Sequence, residues 1–423
     1  MKKKAVAMFL ALTMATGLLA GCGGSSDSAT TGSADQAADA SSGGEKQTLS
    51  IWLPPYGDED LSDKDFWTEE LAEVAAQYNL ELDIEVVPWD NYEEKFLTGI
   101  SSGTGPDIGY MYNEMVMGYI EKGQLEPLEA YFSEEDTADY IYYDQGQVNG
   151  TQYMLPFLVG NPRIIYCNLD LFEQAGIEEL PTTWEELKEC AKTITEATGV
   201  QGYQQYWGGY FGDLDELLLP YIWQAGGSWY DEAGNLTLDT PEVLKAIEYI
   251  QSLKEEGVIT DSATSMDGSA VMDEFKAGNL AMADGSTSSA TGIDSAGINW
   301  GFTVLQDETY GTFIANDSLV MMSSCENKEA AAAVMKAMTS PSVMEDFHTK
   351  MYAMPPINKS ETYCDNEKFE SFYEEYSQYF HSLPIVSDSS NMYTQLHSNM
   401  QLMLMGELTP QQVIDETIAY VQQ

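Results

Sequence analysis

Short apolar runs alternate with amphipathic stretches along most of this chain. Residues 49–53 and 82–87 read as strands, 66–77 between them as an amphipathic helix, and 91–101 as a second helix. A strand–helix alternation of this kind predicts a mainly parallel sheet covered by helices on both faces. A turn over Gly103-Thr104-Gly105-Pro106-Asp107 then feeds a strand at 108–111, whose carboxyl end carries Tyr112, Asn113 and Glu114. Side chains at the carboxyl ends of such strands line the crevice in which open α/β sheets bind ligands. The second half repeats the logic. Strands are expected at 153–158, 164–167 and 280–283, and helices at 241–256, 271–277, 327–338 and 342–351, followed by a helical C-terminal region. Another helix opens at Pro181-Thr182-Thr183-Trp184-Glu185-Glu186-Leu187, where Thr183 and Glu186 stand at capping-box spacing and Trp184 reads as a packing residue.

The amino terminus follows a different rule. Lys2, Lys3 and Lys4 precede an apolar stretch at 5–20 that is short for a membrane span, and Leu19-Ala20-Gly21-Cys22 closes it. This reads as an export signal, and its end resembles the lipobox of bacterial lipoproteins. That resemblance implies a signal peptide at 1–21, a lipid on Cys22 and a protein anchored to the outer face of the cytoplasmic membrane. Residues 23–46 are almost wholly Gly, Ser, Ala, Thr and Asp, so 22–47 is expected to be a lipidated flexible linker, roughly 25 to 30 Å in mean reach. The remainder is long enough for two domains of ordinary size.

Charge narrows the function. The 423 residues hold 18 basic against 69 acidic side chains, and without the three leader lysines the balance is 15 − 69 = −54. Such a field repels nucleic acid and anionic lipid, and Arg163 is the one arginine. Most of the acidity is expected to solvate the surface, with a cationic ligand as the sharper alternative. Cys167, Cys190, Cys325 and Cys364 are widely spaced, without a C-x-x-C pair or a histidine at metal-ligand spacing. They read as separate thiols, although an exported protein permits a disulfide. His348, His381 and His397 are scattered, and none stands where a catalytic base is expected. No cofactor, metal site or catalytic residue is predicted.

Ordered motifs then point to a family. Ser102-Gly103-Thr104-Gly105-Pro106-Asp107-Ile108 is followed by Gly123-Gln124-Leu125-Glu126-Pro127-Leu128. Next come Tyr166-Cys167-Asn168-Leu169-Asp170-Leu171-Phe172 with Ala175-Gly176-Ile177 and Pro181 to Leu187, and finally Phe275-Lys276-Ala277-Gly278-Asn279-Leu280-Ala281-Met282. In this order, over residues 49 to about 357, the chain resembles the extracellular solute-binding proteins of ABC importers, in particular the sugar-binding group similar to maltose-binding protein.

The resemblance implies a two-lobed α/β clamp of the type II periplasmic-binding fold, each lobe a mainly parallel sheet flanked by helices. The chain would cross the hinge three times, near Pro156, Leu305 and Met354. The N-terminal lobe would then comprise 48–156 plus 306–350, and the C-terminal lobe 157–305 plus 351–423. The implied function is capture of a carbohydrate, an oligosaccharide, by hinge closure and its delivery to ABC permease subunits driven by a cytoplasmic ATPase. The protein would be a monomer and no enzyme.

A sugar calls for aromatic faces and for carboxylates, amides or arginine aimed at its hydroxyls. Candidates near the expected cleft are Tyr56, Asp58, Tyr112, Asn113, Glu114, Phe157 and Arg163. Trp207 and Tyr210 join them from the aromatic run 206–211, which lies between loop glycines rather than at helical spacing. Asp284 sits in a loop where relatives often place a stacking tryptophan that this chain lacks, and Asn316, Tyr352 and Tyr393 complete the set. Trp52, Trp223 and Trp300 read as core, and Trp89, at a helix start, as structural. Two alternatives stand beside the sugar: a cationic solute such as a polyamine, held by a carboxylate boxed among aromatics, and an extracellular glycan hydrolase, which needs two opposed carboxylates that no motif singles out.

Overall fold

The structure, a computed structural model, describes residues 46–422 apart from 58–60, 232–233, 364–365 and 388. The export signal, Cys22 and the linker lie outside the described residues, as do Asp58 and Cys364. The strands in chain order are β1 (Gln47–Leu53), β2 (Leu80–Val86), β3 (Ile108–Met111), β4 (Gln147–Val148), β5 (Thr151–Gln152), β6 (Met154–Gly160) and β7 (Arg163–Asn168). They continue with β8 (Gln201–Gln204), β9 (Leu280–Ser286), β10 (Trp300–Thr303), β11 (Thr312–Phe313), β12 (Ala315–Met321) and β13 (Phe380–His381).

Two sheets organise two lobes. The first has the order β2-β1-β3-β12-β6, with β1 parallel to β2 and β3, and β12 antiparallel to β3 and β6. The second has the order β10-β7-β9-β8, with β8 and β9 parallel and β7 antiparallel to both β9 and β10. Each sheet thus carries one strand running against the others. Those strands are β12 and β7, each entered directly from the other lobe. Buried side chains form two separate cores, one around Ile51, Trp67, Phe157 and Phe347, the other around Tyr166, Trp207, Ile250 and Phe275.

Local chemistry explains the elements. The half-buried β2 alternates Leu80, Leu82 and Ile84 with acidic residues, whereas β6 is buried throughout and is apolar from Met154 to Val159. Asp107 ties the Gly-rich turn to β1 by accepting from the Ser50 amide at 2.8 Å and its hydroxyl at 2.9 Å. Gly103, in a left-handed conformation (φ 74°), caps the helix Tyr92–Ser102. Thr183 and Glu186 form the expected capping box at the start of Trp184–Thr198.

The chain leaves the first core after Gly160, returns to it at Ile314 and leaves it again beyond Ile357. These points lie later than the sequence suggests. Residues 157–159 extend β6 into the first core rather than opening the second lobe. Leu305 belongs to the second core, because Gln306 N bonds to Thr182 O (2.8 Å), Glu308 N to Gln224 O (3.0 Å), and β11 pairs with β13. Met354 and Ile357 stay in the first core, where Ile141 N donates to Ile357 O (2.8 Å). Cys167, Cys190 and Cys325 are free thiols. Among the described residues no helix is long and apolar enough to cross a membrane.

Candidate ligand-binding site

Between the two cores lies a cavity of about 690 Å³. The first lobe contributes the turn Trp89–Asn91, Tyr92 and Glu93 of the following helix, Tyr112 with Asn113 and Glu114, and the start of β12, Ala315-Asn316-Asp317. The second contributes Arg163 at the start of β7, the loop Gly209-Tyr210-Phe211-Gly212, Asp215 in the short helix Leu214–Leu217, and Phe313 of β11.

Aromatic faces are freest at the rim. Tyr210 is 66 % exposed and Trp89 43 %, far more than the rings of either core. Tyr210 protrudes because Asp213 holds the loop from behind, its Oδ2 accepting from Gly209 N at 3.1 Å and lying 3.2 Å from His397 Nε2. Phe211 turns inward, stacked at 18° on Tyr393.

Polar groups between the rims are held by their neighbours. The Tyr112 hydroxyl donates to Glu93 Oε1 at 2.6 Å, and Asn113 Nδ2 to Leu383 O at 2.6 Å. Asn316 Nδ2 donates to Asn113 Oδ1 at 3.0 Å and to Gln145 O at 3.4 Å. Asp317 Oδ2 accepts at 2.6 Å from the Tyr110 hydroxyl, which in turn accepts from the Tyr56 hydroxyl at 2.7 Å. Arg163 lies 4.8 Å over the Phe313 ring, donates from Nη1 to Asn161 O at 2.8 Å, and places Nε 3.1 Å from Glu216 Oε1.

The electrostatics are one-sided. Glu93, Glu94, Glu114, Asp215 and Asp317 line the cavity and Arg163 is the one cation among its lining residues. Burial pushes Glu114 well above the usual carboxylate range, and Asp215, across the cavity, adds to the shift. Burial raises Asp215 to about 8 against the pull of Arg163, and Asp317 to about 6 against its bond from Tyr110.

Of the side chains expected to meet ligand, Tyr112, Asn113, Glu114, Arg163, Tyr210 and Asn316 line this cavity. The others stand elsewhere. Phe157 is packed in the first core, edge-on to Tyr110. Trp207 is fully buried, its indole N–H donating to Gln205 Oε1 at 3.0 Å and its ring stacked on His397. Tyr393 is buried behind Phe211 and accepts from Trp229 Nε1 at 3.0 Å. Asp284 is buried within β9 and accepts from the Tyr203 hydroxyl at 2.5 Å. Tyr56 and Tyr352 pack on each other at 5.0 Å beside the lobe junction, where the Tyr352 hydroxyl reaches Ser288 Oγ at 3.2 Å. Trp89, read from the sequence as structural, lies on the cavity rim instead. Asp215, Asp317 and Phe313 were missed, although Asp317 directly follows Asn316 and Asp215 closely follows the aromatic run. Among the described residues no group of three or more His, Cys, Asp or Glu side chains is arranged to hold a metal ion.

Two α/β lobes with an open cavity between them define a binding protein of the periplasmic type, built to enclose a small solute. The chain belongs to the family of bacterial extracellular solute-binding proteins, whose pattern matches residues 59–345. Members of this family are non-catalytic receptors of ABC importers, so this is an exported receptor and not an enzyme. A protein of Brucella abortus described only as a binding protein is 28 % identical over 291 residues, covering 67 % of this chain and 70 % of that one. The diacetylchitobiose binding protein DasA of Streptomyces coelicolor is 27 % identical over 268 residues, 62 % of this chain and 56 % of that one. The GacH receptor of Streptomyces glaucescens, solved unliganded and with acarbose, superposes with a TM-score of 0.74 at 21 % identity, covering 88 % of this chain and 96 % of that one.

Proposed function

We propose that this protein captures a short oligosaccharide between its lobes and delivers it to a membrane permease pair driven by a cytoplasmic ATPase. The observation that carries the reading is the pairing of rim aromatics from opposite lobes, Trp89 and Tyr210, around a floor of amides and carboxylates. Sugars present C–H faces to the first and hydroxyls to the second. The cavity volume falls in the usual range for small-molecule sites, and the diacetylchitobiose and acarbose named for two relatives support a glycan.

In this reading the fold is of type II, with one lobe comprising 46–160 and 314–357 and the other 163–313 and 369–422. The connecting segments act as hinges, and ligand shifts the protein toward the closed form because only then does it touch both lobes. Cys22 carries the lipid, 1–21 is removed, and the linker holds a monomeric receptor at the outer face of the cytoplasmic membrane.

A thermal-shift screen against mono- and oligosaccharides tests the function, since a ligand bound only by the folded form raises the melting temperature. One glycan class is expected to do so, and Trp89→Ala is expected to weaken its binding about tenfold, the loss of one stacked face. A screen in which amino acids or polyamines act and every glycan is silent would overturn the reading. For the anchor, labelled palmitate should enter the native protein and not Cys22→Ala.

A further inference from the structure

Resting on the reading that the cavity takes a glycan, the unmatched acceptors of its wall describe that glycan more closely. Glu114 of the first lobe and Asp215 of the second line the same cavity, and Asp215 is the strongest charge acting on Glu114. Among the described residues Asp215 accepts no hydrogen bond, and Glu114 accepts one from its own amide alone. Arg163 is already engaged by Glu216, Asn161 O and Phe313.

An independent neutral group points the same way. Asn316, only 5 % exposed, lines the cavity; both of its hydrogen bonds leave through Nδ2, and its Oδ1 has no donor among the described residues. Beside it, Asp317 has a donor on Oδ2 and, among the described residues, none on Oδ1. Acceptors that line a cavity without donors of their own are open to a ligand's donors, and they come here from both lobes. A hydroxyl would satisfy one acceptor and leave two opposed carboxyls to be neutralised by protons. An ammonium brings three donors and the missing charge.

We propose that the ligand is an amino sugar with a free, protonated amine, seated between Glu114 and Asp215 beside the Tyr210 ring. The raised carboxyls fit this arrangement, because a cation placed between them lowers both and releases the protons they hold. The groups acting on Asp215 are Arg163, Glu216, Asp317 and Asp213, and those acting on Glu114 are Asp215, Asp317 and Glu93.

The test is calorimetric titration of the purified protein, at pH 6.5 and in low and high salt, with matched sugars. These are glucose- and galactose-series mono- and disaccharides differing only in an amine, an acetamide or a hydroxyl at one carbon, with spermidine alongside. The amine form is expected to bind at least tenfold tighter than its matched partners, and to lose most of that advantage in high salt. Asp215→Asn should bring the amine and hydroxyl forms within about threefold of each other. Equal or tighter binding of the neutral forms by the native protein overturns the amine and leaves the glycan reading standing. Binding of spermidine with silence from every sugar, or silence from all ligands, overturns both. The comparison on the native protein does not depend on the variant folding.

Discussion

Asp215 is one of the cavity carboxyls that burial raises, beside Glu114 and Asp317, and its share of the response to pH can be isolated by substitution. Burial holds its carboxyl up to about 8, reinforced by Glu216, Asp317 and Asp213 and opposed by Arg163, whereas an unfolded aspartate titrates near 4. Between those values the folded chain keeps a proton that the unfolded chain has lost, so the stability this group contributes is greatest at low pH and is lost as pH rises toward 8. Asp215→Asn, permanently neutral, is therefore expected to melt above the native protein at pH 8, with the gap closing as pH falls toward 4. A gap independent of pH in paired melting curves would count against the assignment. Such a residue was hard to see in the sequence, because its environment joins Arg163, some fifty positions upstream, to Asp317 of the opposite lobe. The same limit explains Trp207 and Tyr210. Three positions apart in one glycine-bearing run, they differ between full burial and 66 % exposure. Trp207 N bonds to Ala263 O at 2.6 Å and a Cβ on Gly208 would lie 2.6 Å from the Ser265 backbone, so the loop is pressed onto the second core there and released from it at Tyr210.

Elements defined by neighbours in sequence were the legible part of the fold. The capping box at Thr183 is an example: Glu186 N donates to Thr183 Oγ1 at 3.3 Å, and Glu186 Oε2 accepts from the amides of Thr182 at 2.8 Å and Thr183 at 3.1 Å. Those amides hold the Glu186 carboxyl below its usual range. Thr183→Ala is expected to cost about 1 kcal/mol in denaturant unfolding, with the midpoint lowered and the slope unchanged. The strand Ile108–Met111 was equally plain, since a four-residue apolar run behind a Gly-Pro-Asp turn has few other readings. Where strands end was less plain. An apolar run such as Met154–Gly160 carries no local mark of which core takes its last residues, and the pairing of Ala315 with Gly160 that decides it joins residues distant in sequence. Four of the six cavity residues recovered from sequence, Tyr112, Asn113, Glu114 and Arg163, lie at ends of strands whose limits were close to right.

At the scale of the molecule, the proposed closure would fall on the backbone between the sheets. Gly160 (φ 121°) and Asn161 (φ 56°) hold positive φ at the passage from β6 to β7, and Asn161 Oδ1 accepts from Ser288 N at 2.9 Å. If these residues flex as hinges, X-ray scattering should report a smaller radius of gyration when saturating ligand is added; an unchanged profile with ligand bound would exclude closure. The order of strands has a consequence of another kind. β12 lies between β3 and β6, yet it is made only after the whole second sheet. Until Ala315–Met321 has left the ribosome, the first sheet lacks the strand that joins its halves, and two edges stay bare. The order of strands thereby leaves the completion of the first sheet to a segment made after the whole second sheet.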